Sequence, residues 1–335
     1  MFPLTIQYAP EHHRATMTSI VMSGVVFGLL VARLLSGVVT EYTSWRNIYW
    51  VSFGLQAAIW TLLFCFMPDY PILRPGTSYP SILWKIVTMP FFHPVLTQSG
   101  LIAFLTMGMF TSFWTTLTFQ LAEVFHLSPL VIGLFALVGM SPVLLNPVIS
   151  WLLTSRIHPS GTLLIAHVVT LTAVCIGTFV GTFSLAGPII WAFLGDLGYN
   201  TIIVSNRLAI ANVDPKAQNA VNAVYMLFTF GGQLFGIALG NQLYAQGGWT
   251  HSGALNIAQM SVGILVVLAR GPHERGWIGW GGGWNLRNKK VEEVLTAAVG
   301  SEASDPEAGT FPTGTKLNKA VDNSQILNTQ WSNPK

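Results

Sequence analysis

The chain has 335 residues, of which 51% are hydrophobic and only 9% are charged. Soluble domains carry roughly 25% charged residues, so this composition excludes a water-soluble enzyme and indicates a protein whose surface faces lipid. The net charge of +3 does not point to nucleic-acid binding, and both cysteines stand inside apolar runs, which argues against disulfide or redox chemistry.

Eight apolar runs in the first four-fifths of the sequence are long enough to cross about 30 Å of hydrocarbon as helices. Lipid offers no partner for unpaired backbone groups, and the runs show no alternating pattern of barrel strands, so we predict helices. In chain order the predicted spans cover residues 17–40, 48–67, 95–118, 129–153, 162–183, 185–206, 219–243 and 253–269.

Basic residues occupy alternate loops between the predicted spans, and cytoplasmic loops are the ones that retain positive charge. The intervening loops contain only Arg46. We therefore predict that both termini lie in the cytoplasm. The basic residues on the predicted cytoplasmic side are Arg14, Arg74, Lys85, Arg156, Arg207, Lys216, Arg270, Arg275 and Arg287.

Composition and loop length divide the chain into four parts. Residues 1–67 hold two predicted spans, and residues 68–94 form a proline-rich stretch that we interpret as a cytoplasmic linker between two bundles. Residues 95–269 hold the other six spans and are predicted to form a second bundle. Residues 270–335 form a predicted cytoplasmic tail, which opens with three tryptophans suited to the membrane interface and then becomes too polar to bury a core. We expect most of this tail to be disordered.

Residues 10–45 parallel residues 215–249, which indicates an internal repeat. The aligned positions are small residues four apart on one helix face: Gly28, Ala32 and Ser36 in the first copy, and Gly232, Gly236 and Gly240 in the second. Small residues at this spacing let two helices approach closely, so we assign both sets, together with Gly37, to helix packing. Both copies run in the same direction, as parallel repeats of a transporter would.

The positions of the two copies predict that part of the first bundle is missing. The second bundle opens at residue 95 and reaches its copy only at residue 219, whereas the first copy opens at residue 17. The difference corresponds to about four helices if the two bundles are equivalent repeats. We therefore expect an N-terminally truncated twelve-helix protein.

Several short motifs follow one another in a specific order. They are Arg14-Ala15, G-x-x-x-A-R-x-x-S-G at residues 28–37, SWRNI at residues 44–48, LGDLGYN at residues 194–200, and the glycine-rich run that leads to GGW at residues 247–249. In this order they resemble the major facilitator superfamily, in its drug:proton antiporter-like branch of fungi and bacteria. The resemblance covers about residues 1–285.

The resemblance implies an all-α, polytopic helix bundle in the plasma membrane, of which this chain holds the last two helices of the first bundle and six of the second. It implies transport of a small organic molecule by alternating access, and in this branch efflux of a hydrophobic or amphipathic drug, toxin or secondary metabolite by a multidrug antiporter. Protons are the candidate coupling ion. No cofactor, metal or nucleic-acid partner is implied.

Four polar side chains inside the predicted spans are candidates for the substrate or proton path: Asp196, Asn200, Arg33 and Gln233. An arginine inside a membrane helix costs about 2.5–3.5 kcal/mol, so Arg33 is either a gate or substrate contact, or a packing residue bonded to a neighbouring helix. Asp196 begins a polar stripe that continues through Asn200 to Arg207 on one helix face. Its carboxyl can carry a proton, bind a cationic group or form an interhelical hydrogen bond.

Other functions stay open at this point. The same fold can take up nutrients or organic anions, a membrane receptor or scaffold would use similar helices, and a truncated gene can yield an inactive fragment. A membrane enzyme is not indicated, because the helices contain no H-x-x-x-H pair for a metal and no visible serine or cysteine catalytic set.

Overall fold

A computed structural model describes most of the chain between residues 28 and 281. The described residues are 28, 31–67, 79–145, 157–210, 213–214, 217–272, 274 and 276–281. Helices make up most of these residues, and a β-bridge joins Arg270 and Gly279. The predicted start of the first span, the proline-rich residues 68–78 and the predicted disorder of the far tail lie outside the described residues.

The helices follow the predicted apolar runs. Residues 31–42 form α1, and the helices after it are α2 (Asn47–Phe66), α3 (Tyr79–Phe92), α4 (Pro94–Glu123), α5 (Pro129–Met140), α6 (Pro159–Val180), α7 (Ala186–Ile210) and α8 (Gln218–Ala269). Five of these described helices, α2, α4, α6, α7 and α8, are long and apolar enough to cross a membrane. The all-α polytopic fold is therefore confirmed.

Helix α8 contains two predicted spans joined by a break of two residues. Gly247 and Gly248 leave helical geometry, and Gly248 has φ +67°. The two halves then run antiparallel, because Gly240 and Ser252, on either side of the break, both contact Ser112 of α4. Helix α8 is thus a helical hairpin.

The hairpin turn predicts a clean stability effect. A β-carbon on Gly248 would meet no atom within 4 Å, so the cost of Gly248→Ala is purely conformational. Its φ of +67° and ψ of −157° lie in a region that is essentially restricted to glycine, where another residue costs about 1–3 kcal/mol. We expect a thermal midpoint several degrees lower in detergent, since about 1 kcal/mol shifts the midpoint of a domain this size by about 2–4 °C. The matched control is Gly54→Ala in α2, which also has open space around it but helical geometry. Equal midpoints for the two variants would contradict the assigned turn.

The core of the described helices lies between α4 and α8. Gly232, Gly236 and Gly240 of α8 are buried directly against Phe104, Gly108 and Ser112 of α4. An aromatic cluster fills one end of the bundle, where the rings of Phe113 and Trp191 stack at 4.3 Å. The indole N–H of Trp249 donates to the carbonyl of Gly177 at 2.9 Å and joins α8 to α6.

Helix α3 occupies the later part of the stretch that we interpreted as a proline-rich linker. Pro80 stands in its first turn, where the missing N–H costs nothing, and Pro90 stands in its last turn. Met89 is buried against the start of α4 and of α8, and the ammonium of Lys85 lies 3.9 Å from the carboxylate of Asp214. Two prolines of this stretch, Pro80 and Pro90, therefore lie near the two ends of a helix.

The N-terminal part of the described chain, α1 and α2, meets the later helices at a contact between glycines of α1 and α5. A β-carbon on Gly37 of α1 would lie 2.9 Å from the carbonyl oxygen of Pro129 and 3.1 Å from Cα of Gly133 in α5. At one end of this contact the backbone N–H of Leu130 donates to the carboxylate of Glu41 at 3.2 Å. Helix α2 contributes no buried side chain to any contact.

Candidate functional site

Asp196 is the only buried acidic side chain among the described residues, with 6% of its surface exposed. It begins the regular part of α7, directly after a π-helical turn at Trp191–Gly195. Such turns are rare and occur often at functional sites. An acid in apolar surroundings is costly unless an opposite charge or hydrogen bonds compensate it.

The opposite charge near Asp196 belongs to Arg33 on α1, in the N-terminal part of the chain. The guanidinium of Arg33 on α1 and the carboxyl of Asp196 on α7 are close enough to attract each other. In apolar surroundings this attraction is much stronger than in water. The structure therefore brings together the two charged residues that the sequence singled out separately.

Trp114 of α4 lies at the same place as these two charges. The guanidinium carbon of Arg33 lies 4.2 Å from the centroid of the Trp114 ring, a cation–π distance worth about 0.5–2 kcal/mol. The indole N–H of Trp114 lies near the Asp196 carboxyl without reaching hydrogen-bond geometry. One face of the indole thus contacts the cation while its edge lies near the anion.

Gly139 of α5 completes what we call the Asp196 cluster: Arg33, Trp114, Gly139 and Asp196. A β-carbon on Gly139 would overlap the Trp114 ring and lie 2.7 Å from Oδ2 of Asp196. Only glycine therefore lets α5 approach the carboxyl this closely. Four helices, α1, α4, α5 and α7, each contribute one member of the cluster.

A cavity of about 40 Å³ lies farther along α7, between this helix, α4 and α8. Its lining surface is mostly apolar, although six of its lining residues carry a polar group: Thr106, Tyr199, Asn206, Arg207, Tyr225 and Thr229. Tyr199, one of the lining residues, stacks on Phe110 at 4.2 Å, while its hydroxyl donates to the sulfur of Met107 at 3.1 Å. The cavity can hold about two or three water molecules.

The other two candidates for the substrate path lie on α7 and α8. The side-chain amide of Asn200 donates to the backbone carbonyl of Asp196 at 2.8 Å, within its own helix. Gln233 is half-buried on α8, and its backbone carbonyl accepts the hydroxyl of Thr111 at 3.2 Å. Their proposed contact with substrate or protons stays a prediction.

The small residues assigned to helix packing fall into two groups. Gly37 and the three glycines of α8 lie in close helix contacts, as described above. Gly28, Ala32 and Ser36 are exposed, and a β-carbon on Gly28 would meet nothing within 4 Å among the described residues. For these three, packing against another helix stays a prediction.

Comparisons with known proteins agree with this architecture. The family model of the Major Facilitator Superfamily matches residues 1–206, more than half of the chain. The uncharacterized transporter YgaY of Escherichia coli O157:H7 is 27% identical over 277 residues, which cover 82% of this chain and 69% of that protein. A probable transporter of Streptomyces coelicolor is 23% identical over 265 residues, which cover 74% of this chain and 57% of that protein.

The relatives are named as transporters, and the family carries small molecules across membranes without chemical conversion. The apolar helices of the structure are those of a multi-pass integral membrane protein. From the match over more than half of its length, the chain belongs to the Major Facilitator Superfamily.

Proposed function

We propose that this chain exports hydrophobic or amphipathic organic compounds, and that Asp196 couples their movement to protons. The Asp196 cluster is the observation that carries the proposal, because it joins charges from the two halves of the chain at a buried point. An intramembrane acid is costly, so its presence favours a role in binding or coupling.

The charges of the cluster suggest how binding and movement are linked. When Asp196 is deprotonated, the charge of Arg33 attracts its carboxylate and favours contact of α1 with α5 and α7. A proton on Asp196 removes this attraction, and a cationic group of a substrate competes with Arg33 for the same carboxyl. Either event weakens the contact between the halves, which is the requirement for alternating access.

The glycine contact supplies a surface on which the halves can shift. Gly37 and Gly133 meet through backbone atoms alone, so α1 can change its angle to α5 without rearranging interlocked side chains. The aromatic ring of Trp114 and the cation of Arg33 lie on the same interface. These features together favour a cationic, partly aromatic compound as the exported class.

Accumulation of fluorescent compounds in cells tests the proposal directly. Cells that express the chain are expected to retain less of a lipophilic cationic dye such as ethidium than cells with an empty vector. Collapse of the proton gradient should abolish the difference. Greater accumulation of an anionic dye would favour uptake of organic anions instead, and unchanged accumulation of both dyes would contradict transport of either class.

A further inference from the structure

The last carbonyl groups of α8 have partners from outside the helix. The indole N–H of Trp280 donates to the carbonyl of Leu268 at 2.7 Å, and the backbone N–H of Gly279 donates to the carbonyl of Ala269 at 3.0 Å. The side-chain amide of Gln98 on α4 donates to the carbonyl of Val266 at 2.9 Å. Water would satisfy these groups at a solvated helix end, whereas apolar surroundings require protein partners. These carbonyl groups at the end of α8 therefore do not depend on water for a hydrogen bond.

The segment after α8 folds back into a hydrogen-bonded turn. We call its described residues, 270–272, 274 and 276–281, the cap. The carboxylate of Glu274 accepts the backbone N–H groups of Gly276 at 2.9 Å and Gly281 at 2.6 Å. The Nε of Arg270 donates to the carbonyl of Gly276 at 2.9 Å, and its guanidinium also donates to the carbonyl of Glu274. The side chains of Arg270 and Glu274 thus hold the cap together from its first residue to its last.

Two adjacent large apolar side chains extend outward from this frame. Trp277 is 52% exposed and Ile278 is 79% exposed, whereas the ring of Trp280 packs on Gly271. A turn that is held by several hydrogen bonds and still exposes tryptophan and isoleucine is unfavourable in water. It suits the interface between headgroups and acyl chains, where tryptophan is enriched.

We propose that the cap lies in the headgroup region of the bilayer, with Trp277 and Ile278 inserted among the lipid chains. The cap continues directly from α8, a membrane-crossing helix, so lipid already surrounds the position where it begins. The guanidinium of Arg270 also lies 3.4 Å from the side-chain oxygen of Gln98, near the start of α4. The cap therefore holds the ends of α4 and α8 at one depth in the membrane.

Depth-dependent fluorescence quenching tests this proposal in the full chain. Cys65 and Cys175 are replaced with serine and alanine, Ile278→Cys is labelled with an environment-sensitive fluorophore, and the protein is placed in phospholipid nanodiscs. A nitroxide on the lipid near the headgroup is expected to remove about half of the emission or more, because tryptophan-rich interfacial segments lie at that depth. A water-soluble nitroxide should have little effect.

The matched control carries the fluorophore at His126→Cys, in the exposed loop between α4 and α5. There the water-soluble nitroxide should be the stronger quencher. A probe at position 278 that responds to the water-soluble nitroxide as the control does would overturn the proposal. Protection of that probe from both quenchers would also overturn it, because protein and not lipid would then cover the cap.

A second variant tests whether the hydrogen bonds of Glu274 within the cap determine how deep Trp277 and Ile278 lie in the membrane. Glu274→Ala removes the carboxylate that accepts two backbone N–H groups, so the cap should open. We expect weaker quenching by the lipid nitroxide at position 278 in this variant, with little change in the thermal midpoint of the helix bundle. Unchanged quenching in Glu274→Ala would show that the frame does not position Trp277 and Ile278.

Discussion

Replacing Asp196 with asparagine is expected to remove the pH dependence of transport while leaving the chain folded. Asparagine has nearly the shape of aspartate, so it fits beside Gly139 and Trp114, but it can neither take up a proton nor neutralise Arg33. Removing one partner of a fully buried ion pair costs about 3–5 kcal/mol. Arg33 is only half-buried, so we expect a smaller loss of stability in this variant. Dye efflux measured across a range of external pH, in proteoliposomes with a fixed dye gradient, gives the result.

Two further variants separate coupling from packing. Thr201→Val loses only a hydrogen bond to the backbone of its own helix, so transport by this control should keep the pH dependence of the unaltered chain. The double variant Arg33→Gln with Asp196→Asn removes both charges, and we expect its thermal midpoint to exceed that of Asp196→Asn alone. If Asp196→Asn and the unaltered chain had the same pH profile of transport, Asp196 would not be the proton site, and its carboxyl would serve only in helix packing.

Gly236→Ala, like Gly232→Ala, is expected to be among the most destabilising single methyl additions to α8. The new β-carbon would collide with the carbonyl of Gly108, and a backbone group in the centre of α4 cannot move aside. The two helices must separate over much of their contact. Ordinary overpacking costs about 1–3 kcal/mol, and we expect this substitution to lower the stability by at least as much. The yield of folded protein in detergent and its thermal midpoint should both fall.

Gly231→Ala is the matched control on the same helix. Its β-carbon would lie 3.5 Å from the ring of Phe104, an ordinary contact. Alanine also raises helix propensity by roughly 0.5–1 kcal/mol over glycine, so this variant should be as stable as the unaltered chain or slightly more stable. If Gly231→Ala and Gly236→Ala behaved alike, the close approach of α4 and α8 would be wrong.

The helices and the charged residues inside them were predictable from hydropathy, because long apolar runs are rare in soluble proteins and charged residues are rare inside such runs. Long apolar runs can only be membrane helices or a buried core, and Arg33 and Asp196 interrupt such runs. Their approach to each other was not predictable, because it depends on how α1 packs against α5 and α7. That arrangement follows from glycine contacts far apart in the sequence.

Trp114 and Gly139 were missed for a different physical reason. Tryptophan and glycine are both common in membrane helices, so neither differs from its neighbours by polarity. Their roles depend on shape, a flat ring between two charges and an absent side chain beside a carboxyl. Helix α3 was missed because prolines at helix ends and prolines in loops look alike in composition.

The two-residue turn in α8 also constrains how the protein enters the membrane during synthesis. With only Gly247 and Gly248 between its halves, no separate loop exists there that could be translocated after the first half is already anchored. We therefore expect the two halves to partition into lipid together, as one helical hairpin. Lengthening this turn with a flexible polar insert would uncouple the two insertion steps and change the order in which the bundle assembles.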